Sequence, residues 1–268
     1  MTFTLDDSLG LEAPGNDTFR SQTDQRYWNM KGPYGGWIAA LLIKAVLHDL
    51  EDARFEPIAL TVDFMKAPPE GPLILRRTCD RVGRTAAFWR VMLELPDGTP
   101  CARAMLTLAP HRETLIFSNP EMPDVPPAEA VETFNGRMLP INWAKLYETR
   151  PIKGKMGDVT SDAHSLVWTR DADGRPLDYL SITAIADSPF PRLFLATGRP
   201  SNISTISMTV YFHSTTSEMA AIGNDSILVD ARCERSFGGF YDQHTRFYAR
   251  SGETIAVSQQ MVWYDRAP

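Results

Sequence analysis

Residues 32–47 read GPYGGWIAALLIKAVL, and the folding of this stretch decides the architecture around it. Gly32, Pro33, Gly35 and Gly36 punctuate the chain ahead of an apolar run in which Lys44 is the one charged residue. The run is rich in alanine and leucine. Ile38, Leu41, Leu42, Ala45 and Val46 recur at spacings of three and four, which predicts a helix from the glycines to about Leu50. A helix that is apolar nearly all round must be covered on most sides. Residues 58–65, 73–82, 85–95 and 99–108 carry strand-like patterns, with tight turns at 81–84 and 96–99, and they supply the cover. An antiparallel meander wrapped around a central helix satisfies both patterns.

Outward from this core, residues 1–29 read as an arm with a short strand or turn at 18–28. Pro120, Pro123, Pro126 and Pro127, set among acidic residues, have the composition of a linker. Beyond it the order of strands and turns repeats. Thr209-Val210-Tyr211-Phe212 matches Thr61-Val62-Asp63-Phe64 at an offset of 148, and residues 256–263 match 102–109 at an offset of 154. The difference of six places a longer connection at about 215–225. In the second copy a strand is expected at 163–169, and residues 177–186 stand where the central helix should be. Strands follow at 203–213, 227–236, 239–249 and 254–263. The expected division is 1–118, a proline-rich linker at 119–135, and 136–268. Two such sheets can lie edge to edge as one, which covers the edge of each.

The composition narrows the function. The 268 residues, 43% hydrophobic and 22% charged, describe a folded protein with a sizeable core. No apolar run approaches membrane-spanning length, and the opening MTFTLDDSLG lacks the basic start and apolar stretch of an export signal. Cys79, Cys101 and Cys233 are too few for a disulfide framework; they point to a reducing cytoplasm and read as small buried strand thiols. The net charge of −6, with basic residues scattered, argues against a nucleic-acid partner. His48, His111, His164, His213 and His244 have no metal-ligand spacing, and neither a GxSxG elbow nor a phosphate-binding loop is present.

The order of elements resembles a double hotdog, an α+β fold of two antiparallel sheets each wrapped on a helix, and the chain resembles the TesB-like acyl-CoA thioesterases over residues 27–263. GPYGGWIAALL is similar to that family's aromatic and paired glycines at the start of the first central helix. Ile185-Ala186-Asp187 resembles the end of the second helix, where the family keeps a catalytic aspartate. Residues 203–206 and 210–213 (ISTI and VYFH) resemble the strand bearing a catalytic threonine and then a histidine. TIAVSQQ at 254–260 resembles the last strand with its glutamine. The resemblance implies Asp187, Thr205 and Gln260 as catalytic residues acting on a water, with His213 as a supporting group and no cofactor. Adjacent strand residues face opposite sides, so one of Gln259 and Gln260 can enter the site; Gln260 aligns better and Gln259 is the substitute.

Each residue also has a plainer reading. Gly35 and Gly36, with Tyr34, are expected to bind the substrate and its oxyanion through unpaired amides at a helix N-terminus; equally, the glycines can serve only the turn and close packing. Asp187 is the sole carboxylate between Tyr179 and Arg192; before Pro189 it can simply end a helix. Thr205 fits any strand. Gln260 is more informative, because a buried amide needs a partner. The implied reaction is hydrolysis of an acyl-CoA or related thioester by a homo-oligomer that does not insert in membranes. Two other classes compete: a non-catalytic acyl-thioester-binding or scaffold protein, and an enoyl-thioester hydratase or dehydratase. The latter requires a histidine and an acid at the helix entrance, where this chain has neither.

Overall fold

Ten residues of the central helix, Gly36 to Ile43 with Ala45 and Val46, are buried, as its apolar circumference requires. The computed structural model describes residues 2–118, 121–134, 136 and 139–265. In chain order the elements are α1 (Thr4–Ser8), β1 (Glu12–Gly15), β2 (Thr18–Gln22), α2 (Gly35–Leu47), β3 (Phe55–Phe64), β4 (Pro72–Val82), β5 (Ala87–Glu94) and β6 (Pro100–Pro110). The second half contributes β7 (Tyr147–Lys153), β8 (Ser165–Asp171), α3 (Tyr179–Ala186), α4 (Arg192–Thr197), β9 (Ile203–Phe212), α5 (Thr216–Ile222), β10 (Ile227–Arg232), β11 (Ser236–Phe237), β12 (Phe240–Tyr248) and β13 (Thr254–Tyr264). The helix expected to reach Leu50 ends at Leu47.

All strands join one antiparallel sheet in the order β1-β2-β4-β5-β6-β3-β9-β13-β12-β10-β8-β7, with β11 beside β12. This is an α+β double hotdog whose two sheets meet edge to edge at β3 and β9. At that seam Thr61 faces Thr209, and their hydroxyls lie 3.1 Å apart. These are the residues that the repeat offset of 148 equates, so a pseudo-twofold passes between them. The register repeats as well: Val91 faces Ala104, which faces Val62, and Thr245 faces Ser258, which faces Val210. Each copy has a bulge at the same place, Ile58 in β3 and Ile206 in β9.

The longer connection of the second copy holds α5, begun by a capping box between Thr215 and Glu218. Strands β1 and β7 and helix α4 have no counterpart among the sequence expectations. Residues 122–131 of the proline-rich segment lie on the second sheet's outer face. Ala128 is buried there with Trp168, Leu228 and Tyr248, and the Trp168 indole donates to the Pro126 carbonyl at 2.9 Å. Two thiol expectations are corrected: Cys79 is exposed, because residues 78–82 of β4 are exposed on both faces, and Cys233 is half-buried just past the end of β10.

Candidate active site

Asp187 is the C-cap of α3, and α2 packs with its N-terminus against this end of α3. The Gly36 amide, a first-turn amide with no intrahelical acceptor, is turned toward the Asp187 carboxylate and favours its ionised form. Glycine is what permits this approach. A β-carbon on Gly35 would stand 2.6 Å from Asp187 Oδ2, and one on Gly36 would stand 2.2 Å from the Ala184 carbonyl oxygen. Phe64, at the end of β3, comes 3.4 Å from the position of such a carbon on Gly35 and walls the same space.

Two strands bring polar groups to the carboxylate. The Thr205 hydroxyl donates to Asp187 Oδ1 at 3.4 Å. Gln260 Nε2 donates to the same oxygen at 3.2 Å and to the Ala186 carbonyl at 3.0 Å. Alternation along β9 would set Thr205 outward with Ser207 and Thr209. The bulge at Ile206 reverses that parity and turns it inward, opposite buried Val262. Gln260 is buried on the inner face of β13, whereas Gln259 is exposed on the outer one.

Burial in this apolar surround outweighs the hydrogen bonds from Gly36, Thr205 and Gln260, and pushes the Asp187 carboxyl up to about 7. A carboxylate with that pKa, held by donors from three elements, can take a proton from water near neutrality.

Other expected site residues are placed differently. Tyr34 is buried, stacks on Trp143 with ring centroids 4.2 Å apart, and donates its hydroxyl to the Ala184 carbonyl at 2.6 Å. It fastens α2 to α3 rather than meeting a substrate, and desolvation holds its phenol well above the usual range. Of the two glycine amides expected to bind an oxyanion, Gly36's is turned toward the Asp187 carboxylate. His213 is exposed just past the far end of β9, roughly 26 Å from Thr205 at strand spacing, and supports nothing in the site.

Arg192 went unnoticed in the sequence. It is 1% exposed, and its guanidinium donates to the carbonyls of Ala163 (2.9 Å), Ala231 (2.8 Å) and Phe190. It thereby anchors the chain that leaves Asp187, and burial lowers its pKa to about 10. A lone arginine after proline carries no signal of such a role. The first copy shows the same backbone without the chemistry. By the repeat offsets, Pro57 stands where Thr205 stands and Leu106 where Gln260 stands.

Similarity to known proteins bears on the family and the fold. The profile of the acyl-CoA thioesterase C-terminal domain matches residues 120–264, and that of the acyl-CoA thioesterase N-terminal domain matches 25–109. The crystal structure of a conserved protein of unknown function with a hot dog fold from Alicyclobacillus acidocaldarius is similar over 99% of both chains, at 30% identity and a TM-score of 0.95. The acyl-CoA thioesterase II TesB2 of Mycobacterium marinum is similar over 99% of both chains, at 17% identity and a TM-score of 0.79. The tesB protein of Mycobacterium avium subs paratuberculosis is similar over 98% of both chains, at 19% identity and 0.77. These last two share the fold. No curated protein matches the sequence itself.

Proposed function

The chain belongs to the acyl-CoA thioesterase family, and from that premise we propose that it is a TesB-like enzyme hydrolysing an acyl-CoA to a free acid and a thiol. The observation that carries the reading is the convergence of Thr205 and Gln260 on one oxygen of a near-neutral carboxylate beside a helix N-terminus. Asp187 takes a proton from water as the water oxygen bonds to the thioester carbonyl carbon. Thr205 and Gln260 orient the carboxylate and share that water. The Gly35 amide, first in α2 and without an intrahelical acceptor, donates to the developing oxyanion. Collapse of the intermediate breaks the C–S bond, and the thiolate leaves with the proton that Asp187 returns.

Free thiols in Cys79, Cys101 and Cys233 accord with a cytoplasmic setting. No helix among the described residues is long and apolar enough to cross a membrane. Phe190, three residues past Asp187, packs edge-on against Phe194 with centroids 5.7 Å apart.

Thiol release from acyl-CoAs of several chain lengths tests the reaction; absence of turnover at every length would leave acyl-thioester binding as the function. Replacing Gln260 with Leu, the first copy's residue, removes a hydrogen bond to a charged group and is expected to lower kcat about 10- to 100-fold. An unchanged kcat would take Gln260 out of the mechanism.

Self-association is the second part of the proposal. The outer face of the continuous sheet exposes Phe88, Met105, Tyr211 and Met261 around the Thr61–Thr209 seam, a face that a second copy can cover. Light scattering should give a mass above that of one chain, falling to one chain for Tyr211→Glu with Met105→Glu. A monomeric wild type would overturn this.

A further inference from the structure

Behind Gln260 the inner layer of the second copy is polar where that of the first is not. Thr245 and Ser258 face one another across β12 and β13, one pair along from Gln243 and Gln260 on the same inner face. Ser258 lies two residues from Gln260, so about 7 Å separates them along the strand. Thr183 lies one helical turn before Asp187 and so shares its side of α3. Thr183, Thr245 and Ser258 are 0%, 2% and 1% exposed, and none of their hydroxyls has a hydrogen-bond partner in the protein.

Three observations set the facing Thr245 and Ser258 apart from ordinary core. Buried hydroxyls are normally paired, and leaving one unmade costs free energy. Facing strand hydroxyls usually bond each other, as Thr61 and Thr209 do at 3.1 Å; Thr245 and Ser258 do not. The repeat supplies the control: the positions equivalent to Thr245, Ser258 and Gln260 in the first copy hold Val91, Ala104 and Leu106, in the same register and equally buried. The fold itself therefore asks for no oxygen at these places.

Building on the thioesterase reading of Asp187, we propose that Thr183, Thr245 and Ser258 form an acyl subsite that recognises a hydroxyl on the acyl chain several carbons beyond the thioester. The substrate class is then a hydroxylated acyl thioester rather than a plain fatty one. Each protein hydroxyl can both donate and accept, which suits a substrate hydroxyl. A carboxylate tail fits worse, because these groups are neutral and Asp187 stands next to them.

The test uses medium-chain acyl-CoAs carrying a hydroxyl at successive positions, each beside its unsubstituted parent, and the matching non-hydrolysable thioethers for calorimetric binding. Wild type is expected to favour a mid-chain hydroxyl at least about tenfold, in kcat/KM and in Kd, on the scale of one hydrogen bond. The double variant T245V/S258A, which copies the first sheet's pair, should bring both ratios near unity without lowering Tm; Thr183→Val should move them the same way. Equal ratios in wild type, as hydroxyls holding only water would give, overturn the subsite. So does an advantage that survives the double variant, or a sharp fall in its Tm. Discrimination in binding without turnover would sink the hydrolase reading and keep the subsite. Turnover without discrimination would do the reverse, and absence of both would overturn both.

Discussion

Asp187→Asn is expected to lower kcat/KM for an acyl-CoA by 10²- to 10⁴-fold, the range for losing a general base, while raising Tm at neutral pH. Both effects share one cause. The carboxyl titrates at about 7 in the folded protein against 3.8 when unfolded, chiefly because burial disfavours the charge. The folded state therefore binds this proton more tightly than the unfolded state. The stability that follows is complete below the unfolded value and is lost as pH rises through the folded one. At pH 8 wild type holds an ionised carboxylate in an apolar surround, which the amide variant does not. A gain of about 2 kcal/mol, on the order of 5 °C in Tm, is expected there, shrinking toward zero near pH 4.

Wild-type kcat/KM should rise with pH to a plateau with a midpoint of about 7, as the base must be ionised to act. Melting curves at four pH values and a pH–rate profile check both halves. Full activity in the variant would remove Asp187 from the mechanism. A Tm difference independent of pH would show that burial does not set its ionisation.

Gly35→Ala and Gly36→Ala should fail in opposite ways although the residues are neighbours. A β-carbon at Gly36 meets the Ala184 carbonyl oxygen at 2.2 Å and the Tyr34 ring at 2.6 Å. Neither can yield: the oxygen is helix backbone, and the ring is stacked on Trp143 and tied to that same oxygen. The helices must part, at a cost of about 3 kcal/mol or more, so loss of soluble protein or a Tm lower by roughly 10 °C is expected. At Gly35 the obstacles are the Asp187 carboxylate at 2.6 Å and Phe64 at 3.4 Å, both side-chain ends that can shift. Alanine also favours the helix by up to about 1 kcal/mol over glycine. Gly35→Ala should therefore fold with near-native Tm and lose about 10²-fold or more in kcat, since displacing the base by an ångström is enough. Melting and turnover measured on both proteins separate the cases. A stable, inactive Gly36→Ala beside an unfolded Gly35→Ala would reverse the assignment.

The candidate site's residues were named from the family resemblance, with identity and position along an element as the guide. Asp187 stands alone among apolar residues, but by itself it reads as a helix end before Pro189, where the structure has it as a C-cap. The family resemblance is what singled it out. The QQ pair of the last strand had to send one amide inward. Tyr34 and His213 misled for a common reason: proximity in sequence to a glycine turn, or place on a strand, says nothing about what a side chain meets. Tyr34 follows the turn yet points to α3, 150 residues away, and His213 lies just past the end of β9 that is farther from Thr205.

By itself the sequence determined the helix, the meander and their duplication, because these follow from local periodicity, and periodicity depends only on the order of side chains. It also determined that polar residues stand in the second copy where Leu106, Val91 and Ala104 stand in the first. The tertiary structure alone decided which of those residues share a point in space. The bulge at Ile206 turns Thr205 inward, and the close packing of α2 on α3 carries a glycine amide to Asp187. The raised carboxyl pKa follows from that convergence, since desolvation is produced by the whole surround and by no residue in it.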